Sequence, residues 1–174
     1  GHNNCPLVPA VSVKWWEGVD FDTRNCLPVQ QRWPSIIEQF RPDVLLVVVS
    51  LPEHSDQRYA GDDTWYHIGD ARYTELHETM MADLLAGAGA HGTAVLFANS
   101  SYSPSSQHSR VDEWNALLDE WSQRWPEVSV IDIAGPIAEA EAKAGHSLRP
   151  DALHLDDATL QLIIRTVYLP AIDA

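Results

Sequence analysis

Asp151 and His154 are the two residues whose types and spacing best suit catalysis. They stand three positions apart in the run RPDALHLDD, just before the last amphipathic segment of the chain. A carboxylate beside a histidine can fix the imidazole tautomer and stabilise the imidazolium that forms when the ring takes up a proton. The pair therefore suits a general base oriented by an acid. Polar residues at a helix start give the same D-x-x-H pattern without catalysis, so both interpretations stand at this point.

Polar residues that follow predicted strands are candidates for a nucleophile, an oxyanion donor or a substrate contact. Sites in open α/β sheets form at the carboxyl ends of the strands. Ser50 follows the apolar run VLLVVV, and Asn99, Ser100 and Ser101 follow TAVLFA. None of these serines lies in a G-x-S-x-G elbow. Serine-rich loops after strands are also common in proteins that have no catalytic serine there.

Trp65 is a candidate for contact with a sugar ring. It lies in a polar, turn-rich stretch, where an exposed indole can stack on the apolar face of a carbohydrate. The alternative is that its ring covers the small core of its own loop.

Other classes of ligand have little support. The chain has eight histidines but no H-x-x-x-H and no C-x-x-C, so we expect no metal site. It has no P-loop and no G-x-G-x-x-G, so we expect no nucleotide cofactor. A formal charge of −14 argues against nucleic acid and against basic-patch binding to anionic lipid, because phosphates would be repelled.

The two cysteines, Cys5 and Cys26, lie in a first segment rich in proline. Two separate buried thiols are one interpretation. We favour a disulfide, because a segment with little regular structure gains most from a covalent link, and a disulfide indicates an oxidising, extracytoplasmic compartment. No apolar run reaches the roughly 20 residues that a membrane-spanning helix needs.

The elements that must position these residues alternate between strands and helices. Apolar runs predict strands at 44–49, 93–98 and 128–133, and helical periodicity predicts helices at 30–41, 73–87, 111–125, 137–144 and 156–168. This alternation predicts a parallel sheet with helices on both faces. We find no domain boundary, and expect one domain over 1–174 with an irregular segment at 1–29 and an α/β body at 30–174.

The order of motifs along the chain resembles an SGNH-type (GDSL-like) hydrolase domain. The motifs are CP-L-P…C…RW…II…RPDVLLVVVS, then GDDTW-H-GD, RVDEWNALL and RPDALHL. More narrowly, the chain resembles the extracytoplasmic domain that follows the membrane acyltransferase-3 domain of bacterial O-acyltransferases. The resemblance covers nearly the whole chain, and D-x-x-H with the two-cysteine opening is its most specific part.

This resemblance implies a three-layer, flavodoxin-like α/β/α sandwich without cofactor. It implies acyl-ester chemistry, chiefly on acetyl groups of cell-envelope glycans or glycolipids, in the periplasm or at the cell surface. The partner would be a membrane acyltransferase domain that tethers it in the full-length protein. Asp151 and His154 match the acid and the base of such a site.

The sequence departs from the family pattern at two places. The family's nucleophilic serine lies in a G-D-S block after the first strand, and this sequence contains no G-D-S; its opening, GHNNCPLVP, resembles the part that follows that block. The asparagine of a G-x-N oxyanion motif is expected in the loop after the run at 44–49, where Ser50-Leu-Pro-Glu stands instead. A degenerate domain that binds glycan without catalysis is therefore the main alternative, and a structural domain of a membrane assembly is a third.

Overall fold

The chain is an α/β protein with one parallel and one antiparallel sheet, each of three strands. The computed structural model describes residues 5–15, 18–49 and 51–173, with the side chains at 27–30, 32 and 33 left aside. In chain order the strands and helices are β1 (Ala10–Lys14), β2 (Asp20–Asp22), α1 (Leu27–Phe40), β3 (Val44–Val48), β4 (Asp56–Tyr59), α2 (Ala71–Gly89), β5 (Ala94–Ala98), α3 (His108–Arg124), β6 (Val128–Ile131), α4 (Ala134–Ala144), α5 (Asp157–Ile163) and α6 (Leu169–Ile172).

Strands β3, β5 and β6 form a parallel sheet, as the alternation of strands and helices predicts, and their order in it is β3-β5-β6. The three predicted strands are present, each one or two residues shorter than expected. The chain divides into two compact units, Gly1–Val95 and Leu96–Ala174, which are described in turn.

An antiparallel sheet of order β2-β1-β4 organises the first unit. An irregular segment at 1–29 and no strand in the polar stretch after β3 were expected from the sequence, but β1 and β2 lie in the first of these stretches and β4 lies in the second. β1 pairs with β2 and with β4, and a further bridge joins Gln57 to Tyr66. The core beneath this sheet is formed by Val8, Ala10, Val13 and Tyr59.

A disulfide joins Cys5 to Cys26, as expected, with the two Cα atoms 5.5 Å apart. The link closes a segment of 21 residues that contains β1 and β2. It therefore holds together the start of the first unit, where the strands are short.

Two helices of the first unit pack against each other. Helix α1 begins three residues earlier than predicted, with a proline in its first turn, and ends at Arg41 in the left-handed conformation (φ 42°), directly before Pro42. Helix α2 buries Tyr73, His77 and Met81 at intervals of four residues, which places them on one face.

The second unit packs α3 against β6 and α4 against α5. Helix α3 buries Val111, Trp114, Leu118 and Trp121, and the Trp121 ring meets both Phe97 of β5 and Trp114 edge to face. Asp156 caps α5 by accepting a hydrogen bond from Thr159 N at 2.7 Å. A π-helical segment, Ile164–Tyr168, joins α5 to α6. Among the described residues, no helix is both long enough and apolar enough to cross a membrane.

Candidate active site

Asp151 and His154 form a hydrogen-bonded pair in the turn that precedes α5. The Nδ1 atom of His154 lies 2.6 Å from Oδ2 of Asp151. The other carboxylate oxygen, Oδ1, accepts the backbone N–H groups of Leu153 at 3.0 Å and of His154 at 2.7 Å. The carboxylate therefore fixes both the ring and the backbone of the histidine.

This arrangement favours one protonation pattern for each partner. Three hydrogen bonds, chiefly the one from the His154 ring, keep the pKa of Asp151 well below its usual range. An ionised carboxylate can only accept, so the neutral imidazole carries its proton on Nδ1 and leaves the lone pair on Nε2. With 74% of the His154 side chain exposed, that nitrogen is available for proton transfer to a bound substrate or nucleophile.

The backbone between the two residues is held in an unusual conformation. Ala152 has a φ of 65°, which is rare for a residue with a β-carbon. Its N–H donates to the carbonyl of Arg149 at 3.0 Å, and its carbonyl accepts from Ser105 N at 3.2 Å. The turn is thus bonded to the loop that follows β5.

Arg149, whose role no sequence pattern indicated, makes a second connection between the turn and this loop. The side chain is only 7% exposed. Nη1 donates to the carbonyl of Leu153 at 2.6 Å, and Nη2 donates to Oγ of Ser101 at 2.5 Å. Burial lowers the pKa of Arg149, while the nearby carboxylates of Glu141 and Asp151 oppose this shift.

The loop after β5 holds three of the residues proposed from the sequence. Asn99 uses its side chain to organise the start of α4: Oδ1 accepts Ile133 N and Ala134 N, and Nδ2 donates to Asp132 at 2.9 Å. That bond uses one of the two amide hydrogens of Asn99. Its part in an oxyanion site stays a prediction.

Ser100 is fixed by its backbone. Its N–H donates to Asn115 Oδ1 and its carbonyl accepts from Asn115 Nδ2, both at 2.8 Å, and the residue is 8% exposed. Its neighbour Ser101 is connected to the D-x-x-H turn through its side chain, whose Oγ accepts from Arg149, whereas Ser105 is connected through its backbone N–H.

Tyr102 presents an ordered aromatic ring at the same loop. Its hydroxyl donates to Asp112 and its ring stacks on His108 with the centroids 4.3 Å apart, yet the residue is 46% exposed. A ring held in this way can receive the apolar face of a sugar with little loss of conformational entropy. It stands between Ser101 and Ser105, the two loop residues bonded to the turn.

The loop after β3 belongs to the first unit and contains the remaining polar candidates. Ser50, the oxyanion or substrate candidate, lies outside the described residues. Glu53 is buried and accepts Leu7 N at 2.6 Å. Burial lowers the pKa of His54 to about 4, which favours a neutral ring. Glu53 therefore lies in the interior of the first unit, and His54 is half-buried beside it.

Trp65 lies near two cations. Lys14 Nζ is 5.6 Å and Arg58 Cζ is 5.2 Å from the centre of its ring, in the range of cation–π contact. These contacts favour the interpretation in which Trp65 covers its own part of the fold, and its contact with a glycan stays a prediction. In the described part of the chain, no group of three or more His, Cys, Asp or Glu residues is placed to hold a metal ion.

Comparison with known proteins adds no assignment to this geometry: no protein-family model matches the chain, and no curated protein matches it either.

Proposed function

We propose that this chain is an SGNH-like domain that takes part in acyl-ester chemistry on cell-envelope glycans or glycolipids, as an esterase or an O-acyltransferase. The observation that carries the proposal is the Asp151–His154 pair. An ionised acid bonded to Nδ1, with a further bond to the histidine backbone and an exposed Nε2, is the arrangement that a general base in acyl transfer needs.

In this mechanism His154 moves a proton twice. Its Nε2 accepts the proton of a serine hydroxyl while the serine oxygen attacks the ester carbonyl, and the imidazolium then donates that proton to the departing sugar oxygen. Water or a second sugar hydroxyl attacks the acyl-serine next; His154 takes its proton and returns it to the departing serine oxygen, which gives hydrolysis or transfer and restores the serine. Asp151 stabilises the imidazolium at both steps.

The serine belongs, under this proposal, to the G-D-S block that the family resemblance implies. The present sequence contains no G-D-S. Ser101 is the alternative within the chain, since Arg149 bonds it to the turn that carries His154.

The fold and the covalent structure are compatible with this assignment. A parallel sheet with intervening helices agrees with the three-layer, flavodoxin-like sandwich that we propose for the domain, and the disulfide supports a periplasmic or cell-surface location. We further propose a membrane acyltransferase domain as its partner in the full-length protein. The exposed ring of Tyr102 and the acidic surface suit a neutral sugar substrate.

The experiment is hydrolysis of p-nitrophenyl acetate together with labelling by a fluorophosphonate, read by intact mass. An activated ester needs only a general base, so we expect the chain to hydrolyse it and His154→Gln to lose rate on the order of 100-fold. His146→Gln is the control, because His146 is an exposed histidine of the same unit, two residues after the end of α4. Equal rates for the native chain and His154→Gln contradict the proposal.

Fluorophosphonate labelling locates the nucleophile. One adduct that disappears in His154→Gln and maps to Ser101 places the nucleophile in the described loop. Hydrolysis of the activated ester without an adduct means that no serine of this chain acts as the nucleophile.

A glycan-binding domain without catalysis is the second candidate, and the lack of G-D-S in the sequence favours it. It predicts binding to acetylated oligosaccharides with no hydrolysis, and no effect of Asp151→Asn on that binding. An active site predicts that the native chain hydrolyses the ester and that Asp151→Asn loses this hydrolysis.

A further inference from the structure

Arg149 is the residue that ties three separate segments of the second unit together. Its two terminal nitrogens donate to Leu153 O in the D-x-x-H turn and to Ser101 Oγ in the loop after β5. Its Nε lies 3.8 Å from Oε1 of Glu141 on α4. An arginine suits this position because its planar guanidinium presents donors in several fixed directions at once.

Glu141 is itself anchored to the chain that leads into the turn. Its Oε1 accepts Leu148 N and Ser147 Oγ, both at 3.0 Å. The carboxylate thus supplies the opposite charge that a nearly buried guanidinium requires, and it fixes the two residues that precede Arg149. The network runs from α4 through Arg149 to the loop and the turn.

The position of Leu153 explains what this network can do for the site. Leu153 directly precedes His154, and its N–H donates to Asp151 Oδ1 while its carbonyl accepts from Arg149. The backbone of Leu153 is therefore held through both its N–H and its carbonyl. A turn with the positive φ of Ala152 needs such support, since strained conformations persist only where the surroundings enforce them.

We propose that Arg149 is a positioning residue: by fixing Leu153 O and Ser101 Oγ it keeps the imidazole of His154 aligned with Asp151 and bound in its Nδ1–H form. The inference rests on the proposed function, because alignment matters only if His154 transfers protons. It does not need Arg149 to touch a substrate.

The test is the tautomer of His154, read by long-range 1H–15N NMR of histidine-labelled protein at alkaline pH. His154→Gln identifies its signals among those of the eight histidines. We expect the Nδ1–H form to dominate in the native chain. In Arg149→Met, which retains an apolar stem and loses every donor, we expect the Nε2–H form that unconstrained histidine prefers. Arg149→Lys, with one point charge, should lie between them.

A purely structural role predicts another result. It predicts a lower melting temperature in Arg149→Met with the native tautomer retained, and that outcome overturns the proposal. If Arg149→Met fails to fold, Ser101→Ala removes one of the two bonds with little loss of packing. An unchanged tautomer in both Ser101→Ala and Arg149→Lys then overturns it equally.

The same variants separate this inference from the proposed function. The tautomer readout requires no turnover, so a chain that fails to hydrolyse p-nitrophenyl acetate but loses the Nδ1–H form in Arg149→Met contradicts the proposed function alone. Where the ester is hydrolysed, we expect Arg149→Met to lower kcat by about tenfold or more with KM nearly unchanged, because misalignment of a base affects the chemical step.

Discussion

Ser105 donates a backbone hydrogen bond to the carbonyl of Ala152 over 3.2 Å, and Ala152 holds a left-handed conformation with a φ of 65°. The loop after β5 therefore bonds to the turn at its most strained residue. A residue with a β-carbon in this conformation costs roughly 1–2 kcal/mol. This backbone conformation brings the side chains of Asp151 and His154 together. Substitution of Ala152 can relieve or increase the strain.

Replacing Ala152 by glycine should remove this strain without loss of the Asp151–His154 bond. Glycine adopts a positive φ freely but gains more entropy in the unfolded chain, so the free energy of unfolding should rise by no more than about 1 kcal/mol. Ala152→Val should lower it by about 1 kcal/mol or more, because a β-branched residue is a marked outlier at this φ. Urea denaturation checks whether the free energy of unfolding decreases from Ala152→Gly through the native chain to Ala152→Val. The reverse order contradicts a strained turn.

Arg41 offers a matched control in the first unit. It ends α1 with a φ of 42°, and Arg41→Gly should also stabilise the fold by about 0.5–1 kcal/mol. Because Arg41 is not part of the D-x-x-H turn, this variant should leave the tautomer of His154 unchanged.

Asn115 should be required for the position of the loop after β5. Its side chain bonds to both the N–H and the carbonyl of Ser100. Asn115→Ala leaves two backbone groups at a nearly buried residue without these partners, and we expect a loss of about 2 kcal/mol or more. Hydrogen exchange at the Ser100 amide should become faster in this variant.

Asn115→Asp is the control for that prediction. Aspartate retains the oxygen that accepts Ser100 N and loses only the donor to Ser100 O. The Ser100 amide should therefore stay protected while stability still falls. Equal exchange rates in the native chain and Asn115→Ala contradict the anchoring role.

The parallel sheet was predictable from the sequence because its strands are continuous apolar runs. VLLVV and AVLFA are uninterrupted apolar runs, as is typical of strands in parallel sheets, and the helical segments between them favour parallel connections. The Asp151–His154 pair was predictable for a similarly local reason, since a separation of three residues lets a turn close the bond.

The antiparallel sheet was missed because its strands bury polar side chains. Ser12 of β1 is 5% exposed and donates to Phe21 O, and Gln57 of β4 is 0% exposed and donates to Pro52 O. Alternation of apolar and polar residues therefore fails as a signal there, although each buried group has a partner. The bond from Arg149 to Ser101 spans 48 positions, and no local pattern reveals such a contact.

The disulfide should contribute a large part of the stability of the first unit. A link that closes a segment of 21 residues reduces the entropy of the unfolded chain by an amount worth about 3 kcal/mol. Cys5→Ser with Cys26→Ser, or denaturation in the presence of a reductant, should lower the free energy of unfolding by about that value. A reductant that leaves the urea midpoint unchanged contradicts this expectation.

His77 should make the fold less stable as the pH falls through the mildly acid range. It is 0% exposed, its Nδ1 lies 2.9 Å from Tyr73 O, and its ring stacks on Tyr73. Burial lowers its pKa to about 4, so the folded state keeps the ring neutral while the unfolded chain takes up a proton near pH 6.5. The unfolded state then binds more protons between those values, and stability is lost from about pH 6.5 down to about pH 4.

The variant His77→Phe isolates this contribution, because phenylalanine retains a ring against Tyr73 and does not titrate. The free energy of unfolding, measured in urea from neutral pH to about pH 4, should fall by about 3 kcal/mol less in this variant than in the native chain. Burial also lowers the pKa of His54 to about 4, and this acts in the same direction. The free energy of unfolding of His77→Phe should therefore depend less steeply on pH than that of the native chain, but it should still depend on pH. Equal slopes in the two proteins would mean that His77 is protonated in the folded state, against the burial that the structure gives it.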